Sequence, residues 1–153
     1  MKYHLAQLNL AKFRQPTDHP NNKDFVDSLD RVNEIAELQP GFVWRLTGEG
    51  NDALDVHAFE DPNIAVNMSV WEDLESLSAF VYRNSDHLSI MQRRKAWFDT
   101  MDFYLVLWWV PKNHTPTIAE AKDRLVSLER NGATASAFTF RHPFLIPSAK
   151  SSA

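Results

Sequence analysis

Two stretches of strict alternation follow each other with no helical pattern between them. Phe42, Trp44 and Leu46 share one face of Phe42–Thr47, and Ile64, Val66, Met68 and Val70 share one face of Ile64–Trp71. Period-two alternation marks strands with one buried face. Between them, Gly48–Asn63 reads as a loop with a short strand near Val56–Phe59. This back-to-back strand pair sits inside a chain whose other elements alternate strand and helix, and it is the core of a split βαβ pattern.

The flanking segments complete that pattern. Tyr3–Phe13 alternates, with Leu8 and Leu10 on one face and Gln7 and Asn9 on the other. Arg14–Asn22 is a proline- and asparagine-rich loop, and Lys23–Leu38 repeats Phe25, Leu29, Val32 and Ala36 at helical spacing until Pro40-Gly41 stops it. After the third strand come helices over Leu74–Tyr82 and His87–Phe98, broken near Asn84–Asp86. Phe103–Val110 is apolar on both faces, which suits a central strand. Thr117 and Glu120 form a capping box for a helix closed by Gly132, and Ala137–Arg141 suits a short last strand.

The order βαββααβαβ predicts an α+β, ferredoxin-like fold: an antiparallel sheet with its helices on one face. A bare opposite face carrying Trp44, Trp71 or Trp109 would be too large an apolar patch for a monomer, so a homodimer is expected. Residues 1–147 are expected to form one domain and 148–153 a disordered tail.

Composition narrows the function classes. The chain has 153 residues, 44% of them hydrophobic, so a packed core is affordable without staples. Without cysteine there is no thiolate nucleophile, disulfide or cysteine metal site, and four glycines leave no phosphate-cradling loop. A formal charge of -4 argues against nucleic-acid binding. The amino-terminal segment alternates rather than running apolar, and Phe103–Pro111 is far shorter than the roughly 20 residues a bilayer span needs. The expectation is a cytoplasmic protein with no membrane partner. The six histidines are scattered, so no metal site is expected.

Several linked motifs then carry a family resemblance. They are Leu5-Ala-Gln-Leu-Asn9, Leu29-Asp-Arg-Val-Asn33, Pro40-Gly-Phe-Val-Trp-Arg45, Asn67-Met-Ser-Val-Trp-Glu72, Phe80-Val-Tyr-Arg83 with His87, Arg93-Arg94 before Trp97-Phe98, Leu107-Trp-Trp-Val-Pro111, Glu120-Ala121 and Ala137-Phe-Thr-Phe140. From about Tyr3 to Phe144 the chain resembles the domain-of-unknown-function family 3291 (DUF3291), in the dimeric α/β-barrel, antibiotic biosynthesis monooxygenase-like superfamily. The resemblance implies two ferredoxin-like sheets closed face to face, with a pocket between sheet and helices. Relatives of that fold include cofactor-independent monooxygenases, muconolactone isomerases and haem-degrading monooxygenases. No single reaction follows, because one fold hosts many.

Candidate site residues come from chemistry. His87, near a helix break, suits proton transfer, and its imidazole also suits a helix cap. Arg83, Arg93 and Arg94 can hold an anion, and Arg94, seven residues after His87, would share its helical face. Asn9 and Asn67 interrupt apolar strands, as substrate-orienting groups or as structural pins. Trp44, Trp71, Trp97 and Trp109 offer flat aromatic walls or plain core. The expected activity is cofactor-free, monooxygenase-like chemistry on a planar, apolar small molecule. Catalysis would fall to His87, Arg94 and Asn67, and substrate binding to Asn9, Trp44, Trp71, Arg83, Trp97 and Trp109. The alternatives are a non-catalytic metabolite-binding or sensing module, and a protein that binds or degrades haem as its cofactor or substrate.

Overall fold

β1 (Tyr3–Phe13) is the centre of the sheet. On one side it pairs antiparallel with β3 (Ile64–Trp71), from Leu5 opposite Trp71 to Lys12 opposite Ile64. On the other it pairs antiparallel with β5 (Leu105–Pro111), from Tyr3 opposite Pro111 to Asn9 opposite Leu105. The two-residue β4 (Phe98–Asp99) takes the place of β5 at the far end, where Phe13 faces Phe98. β2 (Phe42–Arg45) lies outside β3. The structure, a computed structural model, describes residues 2–16, 18–47, 59, 61–101 and 103–147. The tail 148–153 and nearly all of the expected strand near Val56–Phe59 lie outside these residues.

The order β2-β3-β1-β5, all antiparallel, has α1 (Lys23–Glu37) between β1 and β2. α2 (Leu74–Arg83), α3 (Ser85–Gln92) and α4 (Arg94–Trp97) lie between β3 and β5. This is the ferredoxin-like α+β fold that the alternation predicts. Strand pleating divides the core in two. Leu5, Trp71 and Leu107 face Ala36 of α1 and Leu77 and Phe80 of α2. Ala6, Leu8, Leu10, Met68, Val70, Val106 and Trp108 face the other way.

That second face is where the structure departs from expectation, because it is not bare. α5 (Ile118–Asn131) lies on it and buries Ala121, Leu125 and Leu128 against the strands. The residues of the face are buried within one chain. The helices therefore occupy both faces of the sheet, and the sheet supplies no argument for a twin subunit. The expectation of a bare face failed because the amphipathic stripe of α5 shows only that it packs on something apolar, not on which side.

Four local differences have physical causes. The register of β2 slips between Phe42 and Trp44. A bulge re-aims the side chains beyond it, so Phe42 meets Trp71 on the α1/α2 face while Trp44 and Leu46 join the α5 face. The expected helix His87–Phe98 breaks at Arg93, between α3 and α4, and Phe98 belongs to a strand. β5 is not central: beyond it, the expected strand at Ala137–Arg141 contributes isolated bridges, from Phe138 to Leu107 and from Ala137 to Thr134, among the described residues. Half of the capping box forms. Thr117 Oγ1 accepts the Glu120 amide at 3.1 Å, but the Glu120 carboxylate turns to Trp108 and His114 instead of reaching back.

Candidate functional site

Under α1 and α2, the odd-numbered positions of two neighbouring strands place a row of polar side chains in the apolar layer. Gln7 lies opposite Ser69 and Asn9 opposite Asn67, because β1 and β3 pair in that register. Gln7 Nε2 donates to Asn67 Oδ1 at 2.7 Å and to Ser69 Oγ at 2.8 Å. Trp71 Nε1 donates to the same Ser69 oxygen at 2.9 Å. The row runs from buried Trp71 and Ser69, through buried Gln7, to Asn67, which is exposed. Asn9 is half-buried beside it, and Asn33 is buried on α1. Neither of these two amides makes a side-chain hydrogen bond among the described residues.

His87 belongs to the same layer. Its ring packs on Phe80, with centroids 5.0 Å apart, and Phe80 stacks on Trp71 at 5.5 Å. Its Nδ1 lies 3.0 Å from the Val81 carbonyl. A carbonyl only accepts, so Nδ1 carries the hydrogen and Nε2 holds the free lone pair. Burial lowers the pKa of His87 below its ordinary value, and the bond to Val81 offsets only part of that shift. The imidazole is thus held neutral, in one tautomer, with Nε2 making no hydrogen bond among the described residues. The local sequence accounts for this position. Asn84 is extended at the end of α2, and its Oδ1 accepts the His87 amide at 3.2 Å, which turns the chain back into α3.

The arginines are not part of this layer. The break at Arg93 takes Arg94 off the helical face of His87; Arg94 is exposed and its Nη1 donates to the Met91 carbonyl at 3.0 Å. Arg93 pairs with Asp24 of α1 at 2.9 Å and lies over the Trp97 ring. Arg83 is exposed. The tryptophans divide as well. Trp71 and Trp97 are about as buried as residues can be, at 1% and 2% exposure, so neither offers a ring face to a ligand in this conformation. Trp44 is on the opposite side of the sheet. Trp109 is half-buried, with Nε1 donating to the Phe144 carbonyl at 2.9 Å.

Two open clefts lie elsewhere. One, of about 330 Å³, is lined by Glu120, Asp123, Arg124, Ser127 and Ser136 on α5. The other, of about 310 Å³, lies between Trp109, the start of α2 and Phe144–Ile146. Neither is lined by His87, Asn67 or Arg94. Among the described residues no three His, Asp or Glu side chains gather as metal ligands, and no helix is long and apolar enough to cross a membrane.

Sequence reading singled out Asn9, Asn67 and His87 but passed over Gln7, Ser69 and Asn33. The signal for the first two was present: they occupy the same alternation positions as the asparagines. The polar position of Asn33 on the apolar stripe of α1 was likewise legible.

The sheet order and its helix crossovers define a ferredoxin-like α+β protein of the type found in several solved structures. PA3566 from Pseudomonas aeruginosa matches with a TM-score of 0.51 at 9% identity, over 74% of this chain and 98% of that one. A conserved protein from Methanosarcina mazei Go1 matches at 0.49 and 14%, over 72% and 93%. SnoaB, a cofactor-independent oxygenase from Streptomyces nogalater, matches at 0.47 and 15%, over 73% and 95%. Among curated proteins, none matches the sequence. The family model "Domain of unknown function (DUF3291)" matches residues 4–153, and the chain belongs to that family.

Proposed function

We propose that the chain is a small-molecule enzyme that works by proton abstraction on the α1/α2 face of the sheet, with His87 as the base. The observation that carries this reading is the fixed tautomer: Nδ1 is tied to the Val81 carbonyl, and Nε2 is left as an unprotonated acceptor. A base with a pKa near or below neutrality is charged only after it has taken the substrate's proton. Asn67 and Asn9, whose amide hydrogens meet no acceptor among the described residues, are donors suited to a developing oxyanion. Arg94 has no part in this reading.

The finer reading is cofactor-free oxygenation, which draws on the family resemblance. A phenolic or enolic carbon acid gives its proton to Nε2, and the enolate passes electrons to dioxygen. The peroxide formed at carbon then loses water to leave a quinone. One O2 is consumed and one water released for each CH2 converted to C=O. An air-oxidisable anthrone tests this, with oxygen uptake and quinone absorbance followed together. Enzyme-dependent uptake is expected, falling by about 100-fold in His87→Ala, the scale of a lost general base. Uptake that His87→Ala leaves unchanged would remove the reading. Saturable binding of the anthrone without turnover would make the protein a binder instead.

A further inference from the structure

We propose that the cleft along α5 binds a small polar zwitterion of the free α-amino-acid type, with its carboxylate on Arg124 and its ammonium on Asp123. This site lies apart from the α1/α2 face and does not depend on the reaction proposed there.

Helical spacing builds one wall of the cleft. Glu120, Asp123, Arg124 and Ser127 stand at i, i+3, i+4 and i+7 of α5, so they share one stripe of the helix. The buried stripe of Ala121, Leu125 and Leu128 lies beside it on the sheet, which leaves the charged stripe along the flank of the helix. Ser136, in the turn that follows α5, lines the same cleft of about 330 Å³. That volume lies within the range of small-molecule sites.

The charges in this cleft do not neutralise one another. Glu and Arg four apart on a helix are placed to pair. Here both oxygens of Glu120 are engaged elsewhere, Oε2 by Trp108 at 2.8 Å and Oε1 by His114 at 2.6 Å. Arg124 turns instead to the following turn, and its Nη1 donates to the Ser136 carbonyl at 3.0 Å. This guanidinium is half-buried and makes no ion pair among the described residues. The Asp123 carboxylate and the Ser127 hydroxyl make no hydrogen bond or ion pair among the described residues either.

One tethered cation and one unspent carboxylate therefore share a single cleft. The bond to Ser136 already restricts the Arg124 side chain, so an arriving carboxylate orders it at less entropic cost. The planar fork of a guanidinium also matches a carboxylate in shape. A simple anion drawn to Arg124 would meet Asp123 and Glu120, and a simple cation drawn to Asp123 would meet Arg124. A ligand that carries both charges satisfies both groups at once. The hydroxyls of Ser127 and Ser136 suit a polar side chain on that ligand.

The test uses the intact chain and three probes titrated by calorimetry in low-salt buffer. L-Glutamine carries both charges, L-glutaminamide lacks the carboxylate, and N-acetyl-L-glutamine lacks the ammonium. Glutamine is expected to bind about tenfold or more tightly than either analogue, the scale of one charge-assisted hydrogen bond. Arg124→Gln should erase its advantage over glutaminamide, and Asp123→Asn its advantage over the N-acetyl compound. Added salt should weaken glutamine binding. Equal affinity of the three probes for the wild-type protein overturns the proposal, as does absence of glutamine binding at millimolar concentration. A preference for glutamine that both variants keep also overturns it, because the zwitterion would then be held elsewhere. The wild-type comparison decides the matter even if a variant fails to fold. His87-dependent oxygen uptake is read in a separate assay, so either proposal can fail while the other stands.

Discussion

The Trp108 indole donates to the Glu120 carboxylate at 2.8 Å, tying β5 to the first turn of α5 across the sheet face that α5 covers. His114 Nε2 meets the other carboxylate oxygen at 2.6 Å. Burial pushes the Glu120 carboxyl up, but the bonds from His114 and Trp108 outweigh it, and the net shift is downward. Trp108→Phe keeps an aromatic ring, deletes the donor and leaves a small void, because Trp108 is fully buried and phenyl is smaller than indole. It is expected to cost about 1–2 kcal/mol in urea denaturation, and to raise the Glu120 titration midpoint by NMR. A variant as stable as wild type, with that midpoint unmoved, would show that the indole bond contributes nothing.

Gly41 has φ +85, and a Cβ placed on it would run into the Ser76 hydroxyl and Cβ at the start of α2. The Gly41 carbonyl also accepts the Glu72 amide at 2.7 Å, so the segment before β2 cannot simply move away. Gly41→Ala therefore adds backbone strain to a clash, and a loss of roughly 2–4 kcal/mol is expected. Thermal unfolding measures it. A melting temperature within error of wild type would mean that the loop relaxes freely.

These two sites show what could and could not be read from the chain. The strands, the helix crossovers and hence the ferredoxin-like order follow from local alternation, because pleat and helix periodicity are properties of neighbouring residues. The capping threonine Thr117 was equally local. The destination of the Glu120 carboxylate was not, since it depends on Trp108 of β5 lying beneath α5. Trp44 illustrates the same limit: a one-residue slip against β3 sends it to the opposite face from Phe42. For the candidate site, the alternation placed Asn9 and Asn67 on one face of their strands. The hydrogen-bond roles of Gln7 and Ser69 needed the register of β1 against β3, which only the folded sheet supplies.

His87 makes stability depend on pH with a definite sign. Its folded pKa lies below the ordinary value because burial penalises the charged ring. The unfolded chain therefore takes up the proton more readily. The contribution is fully present above the unfolded value of about 6.5, declines as the pH falls below it, and is lost once the pH passes below the folded value. Urea denaturation of wild type and His87→Gln, compared between about pH 8 and pH 5, isolates this one histidine from the other five. The wild-type curve is expected to fall more steeply in acid than that of the variant. Parallel curves would mean that the ring is charged as easily in the folded protein as in water, and His87 would lose its standing as a neutral base.

Leu125 tests whether α5 is the true cover of the second sheet face. It is buried against the strands together with Ala121 and Leu128, over a surface that includes Leu8, Met68, Val106 and Trp108. Leu125→Ala leaves the helix docked over a cavity and is expected to cost about 2–4 kcal/mol. Leu125→Asp is a different experiment, because an unpaired carboxylate cannot stay in that layer. The helix should lift, and the uncovered strands would then form a contiguous apolar patch larger than monomers tolerate. The expected result is stronger binding of an apolar dye and a shift to higher mass in size-exclusion chromatography with light scattering, relative to wild type at the same concentration. If Leu125→Asp kept the wild-type mass and bound no more dye, the strands beneath α5 would have some other cover. If the wild-type chain itself associated through this face, its mass would already exceed that of one chain, and Leu125→Asp should lower it instead.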